Sequence, residues 1–143
     1  MEFAEQPVST VMQTEFVTVK PGDHLDFVDD VMKLGRIRHM PVIEDDKLVG
    51  IVSQRDLLAA SLSRALEFEP DHRRSFMRSV NVSEVMTGNP IAVAPEATLR
   101  EAARLIITHK IGCLPVVDDA GVTLGLVTET DLLVGVYGIS GEG

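Results

Sequence analysis

Short continuous apolar runs alternate along this chain with apolar residues at helical spacing, and the alternation occurs twice. Phe16-Val17-Thr18-Val19 is a short run that Pro21-Gly22 closes, and Ile91-Ala92-Val93 is a similar run followed by Pro95. The residues at helical spacing that come next are Leu25, Val28, Val31, Met32 and Gly35 in the first half and Leu99, Ala102, Ala103 and Ile106 in the second. Each half is therefore predicted to begin with a strand followed by a helix.

The second of these helices carries a start signal. Thr98 and Glu101 lie three residues apart, directly ahead of the apolar face. At this spacing the hydroxyl oxygen accepts from a free amide of the first turn, while the carboxylate accepts from the amide of the hydroxyl residue. The pair therefore predicts a capping box at the start of this helix.

Two more apolar runs follow each helix, separated by a polar turn. In the first half they are Met40-Pro41-Val42-Ile43 and Lys47-Leu48-Val49-Gly50-Ile51-Val52, with Glu44-Asp45-Asp46 between them. In the second half they are Leu114-Pro115-Val116-Val117 and Leu124-Gly125-Leu126-Val127, with Asp118-Asp119-Ala120-Gly121 between them. Such pairs predict β-hairpins. A last helix is expected from Leu57 to about Leu66 and from Leu132 to about Tyr137, so each half is β-α-β-β-α.

The two halves are copies of one unit. Val8-Ser9-Thr10-Val11-Met12 returns as Val82-Ser83-Glu84-Val85-Met86, and the spacing then holds until one extra residue enters the turn near Asp119-Ala120-Gly121. Self-similarity over a long, fixed spacing indicates repeated supersecondary units. We expect a first repeat in residues 1–66 with its core in 8–61, a linker in residues 67–79, and a second repeat in residues 80–143 with its core in 82–137.

The predicted linker is rich in charge, contains Pro70, and is expected to have helical segments on either side. Its arginines, Arg73, Arg74 and Arg78, suit either an anionic partner or an ordinary solvated face. Charged runs in linkers are usually solvated, so the second interpretation is favoured.

Composition adds limits on the core and on the partners. Of the 143 residues, 45% are hydrophobic, but there is no Trp and only one Tyr, so aliphatic side chains must fill the interior. The abundance of Val and Ile favours strands. The formal net charge of −9 argues against nucleic acid or an anionic membrane as the main partner, because phosphate binding needs clustered Lys and Arg.

The chain shows no feature of secretion or membrane insertion. The start, Met1-Glu2-Phe3-Ala4-Glu5-Gln6-Pro7, is acidic and lacks an apolar run, and no stretch reaches the roughly 18 apolar residues of a membrane span. The single cysteine, Cys113, cannot form an internal disulfide, which suits a reducing compartment. We therefore expect a cytoplasmic protein.

Other reactive side chains give weak signals. Cys113 precedes Leu114-Pro115 without any base nearby in the sequence, so it is expected to be a small buried hydrophobe and not a nucleophile. The four histidines, His24, His39, His72 and His109, show no metal-ligand spacing. No metal site is predicted.

The strongest chemical motif is the junction that ends each hairpin. Gly50-Ile51-Val52-Ser53-Gln54-Arg55-Asp56 returns as Gly125-Leu126-Val127-Thr128-Glu129-Thr130-Asp131. A hydroxyl residue three before an acid has capping-box spacing, and capping alone explains both residues. The same helix start also suits an anion, because its free amides and dipole attract phosphate, while the carboxylate can accept from ribose hydroxyls. The residues alone leave both interpretations open.

Taken in order and found twice, these motifs resemble the CBS domain, named for cystathionine β-synthase. The resemblance covers residues 8 to 61 and 82 to 137. It implies an α+β fold in which two β-α-β-β-α repeats pack with intramolecular pseudo-twofold symmetry and form two clefts. It also implies a regulatory module, not an enzyme, that requires no cofactor, binds an adenosyl ligand (AMP, ADP, ATP or S-adenosylmethionine), and forms homodimers.

Each implied cleft takes its hydroxyl-acid motif from one repeat and its adenine-binding backbone from the other. The first cleft would use Ile51, Ser53, Arg55 and Asp56 with Thr87, Pro90, Ala92, Ile111 and Gly112. The second would use Leu126, Thr128, Thr130 and Asp131 with Thr14, Val17, Thr18, Arg38 and His39. Because Arg38 and His39 add cationic lining, the second cleft is the one favoured for ligand phosphates.

Two hypotheses from different classes remain. The leading one is a sensor that binds an adenine nucleotide and signals to a partner protein. The rival is an interaction or dimerisation scaffold in which the two motifs only cap helices. A nucleotide-processing enzyme is disfavoured, because no nucleophile and base are paired in the sequence.

Overall fold

The computed structural model describes residues 2–63 and 73–138. Its helices are α1 (Leu25–Gly35), α2 (Gln54–Ser63), α3 (Arg73–Ser79), α4 (Val82–Val85), α5 (Leu99–His109) and α6 (Glu129–Tyr137). Its strands are β1 (His39–Glu44), β2 (Lys47–Ser53), β3 (Thr87–Gly88), β4 (Cys113–Val117) and β5 (Thr123–Thr128). Single 3₁₀ turns lie at Phe3–Glu5 and Val8–Thr10. The predicted α+β class is confirmed.

The chain divides into two compact units that differ from the sequence repeats by short terminal segments. One unit is Val17–Pro90, which we call the Ser53 unit. The other joins Met1–Phe16 to Ile91–Gly143, and we call it the Thr128 unit. The segment that precedes each repeat's first apolar run therefore belongs to the unit of the other repeat.

The Ser53 unit is built on a three-stranded antiparallel sheet in the order β1-β2-β3. The β1–β2 hairpin pairs His39 with Ser53 at its open end, and β3 joins β2 through Gly50↔Gly88 and Ile51↔Thr87. The core side chains are aliphatic, as the composition requires: Val19, Leu25, Val28, Met32, Met40, Val42, Val52, Leu57, Met77 and Val82.

The Thr128 unit repeats this plan with a two-stranded hairpin. β4 and β5 pair Cys113 with Thr128 at the open end. Gln13 pairs with Leu126 as an isolated antiparallel bridge, at the position that β3 takes in the other unit. The core consists of Val8, Val93, Leu99, Ala102, Ile106, Leu114, Val116 and Val127.

The first predicted strand of each repeat is shorter than expected. Val19 forms one parallel bridge with Val42, and Val93 forms one with Val116. A proline follows two residues later in both cases, at Pro21 and Pro95. Because proline has no amide hydrogen to donate to a ladder, it limits how far the pairing extends.

The two hairpin turns differ because of the extra residue in the second repeat. Asp45 and Asp46 are the two turn residues of the first hairpin, and both have positive φ angles, 51° and 65°, as a type I′ turn requires. In the second hairpin the Asp118 carboxylate accepts from the amides of Ala120 and Val122, each at 2.9 Å.

The final helices begin three residues earlier than predicted. α2 starts at Gln54 and α6 at Glu129, each directly after the hydroxyl residue of its motif. The apolar period does not show this first turn, because its residues are polar. The predicted end of α2 near Leu66 lies outside the described residues.

Part of the predicted linker is the helix α3, which packs against α1. Arg74 bonds to Asp30 at 2.9 Å and Arg78 lies 3.5 Å from Asp26. The hydrogen bond from Arg74 lowers the pKa of Asp30. Two of the arginines therefore pair with acids of their own unit, whereas residues 67–72 lie outside the described part of the chain.

Exchanging two helix-end residues for glycine should stabilise the fold. Arg36 and Lys110 follow α1 and α5 with φ angles of 53° and 54°, a left-handed conformation that is unfavourable for a side chain with a Cβ. We expect Arg36→Gly and Lys110→Gly each to raise the unfolding free energy in urea by about 0.5–1 kcal/mol. As the opposite control, Gly138→Ala should lower it, because Gly138 ends α6 with a φ of 66°.

Candidate functional site

The first candidate site is the start of α2 in the Ser53 unit. The amide of Asp56 donates to the Ser53 hydroxyl oxygen at 3.1 Å, and the amide of Ser53 donates to Asp56 Oδ2 at 2.8 Å. Both residues are partly buried. The motif therefore forms a capping box in which Asp takes the position usually held by Glu.

The second candidate site is the start of α6 in the Thr128 unit. The Asp131 amide donates to Thr128 Oγ1 at 3.3 Å, and the Thr128 amide donates to Asp131 Oδ2 at 2.8 Å. The Thr128 hydroxyl also donates to Asp131 Oδ2, at 2.9 Å. The capping interpretation of the motif is thus confirmed at both helices. Capping leaves the positive dipole end of each helix to attract an anion.

Two cationic residues lie at the first site. The Arg38 carbonyl accepts from the amide of Gln54, the first residue of α2, at 2.8 Å. Arg55 is in the first turn of α2, and both side chains are exposed. Neither forms an ion pair with another described residue.

The equivalent positions at the second site are neutral. The Gly112 carbonyl accepts from the amide of Glu129, the first residue of α6, at 3.4 Å. Thr130 takes the place of Arg55. The two helix starts have the same backbone design but differ in charge.

The structure distributes the predicted site residues between the two units as follows. Ile51, Ser53, Arg55, Asp56, Thr87 and Pro90, together with Val17, Thr18, Arg38 and His39, belong to the Ser53 unit. Leu126, Thr128, Thr130, Asp131 and Thr14, together with Ala92, Ile111 and Gly112, belong to the Thr128 unit. The resemblance implies that Arg38 serves the cleft of the Thr128 motif, and its carbonyl accepts from the amide of Gln54 at the start of α2, beside Ser53.

The glycine that opens each motif allows a close backbone approach. A Cβ on Gly50 would lie 2.5 Å from the Met86 sulfur and 3.0 Å from the Thr87 carbonyl oxygen. A Cβ on Gly125 would lie 2.7 Å from the Met12 sulfur and 2.9 Å from the Gln13 carbonyl oxygen. These glycines therefore let the segment after each methionine pair with the strand that leads to the motif.

Gln13 is a site residue that was not predicted. Its side-chain amide donates to Asp131 Oδ1 at 3.0 Å and lies 3.2 Å from Oδ2. The sequence predicts its neighbour Thr14 for the second cleft, and Gln13 is the residue that pairs with Leu126. The repeat itself contained the signal, because Gln13 follows Met12 as the predicted residue Thr87 follows Met86.

Cys113 is buried, as predicted. Burial raises the pKa of its thiol from 9.0 to about 12, and the nearby Asp131 carboxylate adds to the shift. Because only the thiolate reacts, the native protein should react with a disulfide reagent at pH 8 at least about 100-fold more slowly than the urea-unfolded protein. Equal rates in the two states would show that Cys113 is accessible and ionised in the folded chain.

The described residues contain neither a cluster suited to a metal nor a membrane-spanning helix. Within residues 2–63 and 73–138, no group of three or more His, Cys, Asp or Glu side chains is arranged to hold an ion. No helix in this part of the chain is long and apolar enough to cross a bilayer.

Comparison with known proteins identifies the two repeats. The CBS domain model matches residues 8–63 and 82–138, and the chain therefore belongs to the CBS domain family as a tandem pair. The chain is 32% identical to a CBS domain-containing protein of Dictyostelium discoideum over 127 residues, which covers 88% of each chain.

Two further relatives place the pair in different contexts. Inosine-5'-monophosphate dehydrogenase of Korarchaeum cryptofilum is 36% identical over 118 residues, which cover 82% of this chain but only 22% of the dehydrogenase. The solved structure of CBSX2 in complex with AMP superposes with a TM-score of 0.77 at 29% identity, covering 93% of this chain and 97% of that one.

Proposed function

We propose that this CBS domain pair is a regulatory module that binds an adenosyl ligand at its Ser/Thr-x-x-Asp motifs. The ligand class comprises AMP, ADP, ATP and S-adenosylmethionine. The observation that carries the proposal is the duplicated helix start, where a hydroxyl, a carboxylate and the positive end of a helix dipole meet at the open end of a hairpin. The similarity to a structure solved with AMP supports it.

The chemistry of the first site suits a nucleotide 5′-phosphate. The dipole of α2 is positive at Gln54, and Arg38 and Arg55 lie beside this helix start. The Ser53 hydroxyl hydrogen has no acceptor among the described residues, so it is free to donate to phosphate. Together these groups provide charge-assisted hydrogen bonds, which are stronger than neutral ones.

The carboxylate of Asp56 suits the ribose. Its Oδ2 is engaged by the Ser53 amide, while its Oδ1 accepts no hydrogen bond from any described residue. An ionised carboxylate accepts from both hydroxyls of a vicinal diol. Asp56 is therefore proposed to recognise the ribose 2′ and 3′ hydroxyls, with Asp131 as its counterpart in the second motif.

The adenine pocket remains a prediction from the resemblance. It would use aliphatic side chains and backbone groups, which suits a chain with few aromatic residues. The residues concerned are Ile51, Thr87, Pro90, Ala92, Ile111 and Gly112 for the first ligand and Leu126, Thr130, Thr14, Val17, Thr18 and His39 for the second.

A homodimer that signals to a cytoplasmic partner protein is the proposed working form. Leucines and a tyrosine at equivalent positions of α2 and α6 are exposed: Leu58, Leu62, Leu133 and Tyr137. Exposed apolar residues one turn apart form a stripe suited to helix packing. Ligand binding can change the state of the partner protein only if the ligand binds one arrangement of the module more tightly than the other.

The rival function is a scaffold in which the motifs only cap helices. The specific observation in its favour is that both capping boxes are complete without any ligand. Under the scaffold hypothesis the carboxylates have no further role, and adenosyl compounds do not bind.

Thermal unfolding with one adenosyl compound at a time tests the proposed function. A ligand at 100 times its dissociation constant adds about 2.7 kcal/mol to stability. For a chain of this size that should raise the midpoint by very roughly 5–15 °C. Chromatography of the ligand after long incubation should show no product, because the module is proposed to bind without breaking a bond. Midpoints that do not move with any of the four ligands would favour the scaffold.

A further inference from the structure

The two motifs have different hydrogen bonds to their carboxylates, although their backbones are alike. Asp131 accepts from the Gln13 side-chain amide through Oδ1 at 3.0 Å, and its Oδ2 accepts from both the amide and the hydroxyl of Thr128. Asp56 accepts only from the Ser53 amide among the described residues. Both carboxylate oxygens of Asp131 are therefore engaged, whereas Asp56 Oδ1 accepts from no described residue.

The difference arises from one position of the repeat. Gln13 and Thr87 each follow the methionine that packs on the motif glycine, and each pairs with the strand residue after that glycine, Leu126 or Ile51. Backbone pairing thus brings both side chains to the same place. The glutamine amide reaches the carboxylate, whereas the threonine side chain forms no hydrogen bond with Asp56.

We infer that Gln13 is an internal competitor for the ribose hydroxyls at Asp131, so that the Thr128 motif is a low-affinity site and the Ser53 motif binds the adenosyl ligand first. This inference rests on the proposed function. A ligand at the second motif must displace a charge-assisted hydrogen bond before its own hydroxyls can bind. At the first motif no described side chain has to be displaced from the Asp56 carboxylate.

Two other features act in the same direction. The Thr128 hydroxyl donates to Asp131, while the Ser53 hydroxyl hydrogen has no acceptor in the described part of the chain. Arg38 and Arg55 at the first motif are replaced by Gly112 and Thr130 at the second. Phosphate is therefore also expected to bind less tightly at the second motif, the opposite of the order that the resemblance implies.

Exchanging Gln13 and Thr87 for each other's residue type tests the inference. AMP titrations by calorimetry compare the wild type with Gln13→Thr, Thr87→Gln and Gln13→Met. Gln13→Thr should strengthen the weaker binding step by about tenfold, which corresponds to about 1.4 kcal/mol. Thr87→Gln should weaken the tighter step by a similar factor. Gln13→Met preserves side-chain length without a donor, so it should strengthen the weaker step if the hydrogen bond is the cause.

The outcomes separate this inference from the proposed function. Failure of the wild type and of every variant to bind AMP, ADP, ATP or S-adenosylmethionine contradicts both. Binding that Gln13→Thr and Thr87→Gln leave unchanged contradicts only the role of Gln13. A single site in the wild type that becomes two in Gln13→Thr supports the inference, and a single site in both overturns it. Because Gln13 is exposed and its strand contacts are backbone bonds, these substitutions should fold.

Discussion

Asp56→Glu should weaken AMP binding at the Ser53 motif by about 100-fold while changing the unfolding free energy by less than about 0.5 kcal/mol. Glutamate is the usual acid of a capping box, and this chain already uses Glu101 with Thr98 and Glu84 with Asn81. The longer side chain keeps the cap but displaces the carboxylate that is proposed to hold the ribose. Calorimetric titration and urea unfolding of the same variant give the two quantities.

Two controls make this result specific. Glu101→Asp makes the reverse exchange in a capping box that belongs to neither motif, and it should leave AMP affinity unchanged. The ligand 2′-deoxy-AMP lacks one of the two ribose hydroxyls, so the wild type should bind it more weakly than AMP. Asp56→Glu should show a much smaller difference in affinity between these two ligands. Wild-type affinity in Asp56→Glu would show that the carboxylate serves only as a cap.

Gly125→Ala should lower the unfolding free energy by about 1–3 kcal/mol. The new Cβ would lie 2.9 Å from the Gln13 carbonyl oxygen and 2.7 Å from the Met12 sulfur. The methionine side chain can move, but the carbonyl belongs to the backbone that pairs with Leu126. Part of the effect should therefore remain when Met12 is shortened in the double variant Gly125→Ala/Met12→Ala. Chemical unfolding in urea measures the change.

Gly88→Ala is the matched control for this substitution. Gly88 lies in β3 opposite Gly50, and a Cβ there meets no atom within 4 Å. Its exchange should be neutral or slightly stabilising, because alanine reduces the entropy of the unfolded chain. If Gly88→Ala and Gly125→Ala have equal effects, close packing is not the reason for the motif glycine.

The elements with a strong period were predictable from the sequence. The spacing of Leu25, Val28 and Met32 predicted α1, and that of Leu99, Ala102 and Ile106 predicted α5, because one face of each helix is buried. The capping box of Thr98 and Glu101 was also found as predicted. Where burial decides the structure, the apolar pattern carries the information.

The boundaries were less predictable because polar contacts decide them. α2 and α6 begin where Ser53 and Thr128 cap them, in turns that have no apolar period. The first predicted strand of each repeat is only a single β-bridge in the structure, at Val19 or Val93. Local hydrogen bonds and prolines determine where these elements begin and end. The spacing of apolar residues gives no information about either.

The candidate site was predictable only in part. The paired Ser/Thr and Asp residues were visible as a repeat. The side-chain amide that donates to Asp131 belongs to Gln13, which is far away in the sequence. The placement of Arg38 beside α2 likewise depends on a backbone hydrogen bond to Gln54. The Gln13 contact depends on pairing with Leu126, which the sequence did not predict. The Arg38 contact continues the predicted β1–β2 hairpin one residue beyond His39 and Ser53.

The most direct test of the central claim is a calorimetric titration of the wild-type protein with AMP, ADP, ATP and S-adenosylmethionine in turn. The account predicts saturable binding of at least one of these ligands, with a tighter step that Asp56→Glu weakens. The account is contradicted if none of the four ligands gives binding heat at two different temperatures and none of them changes the thermal midpoint. Two temperatures are needed because the binding enthalpy can be zero at one of them.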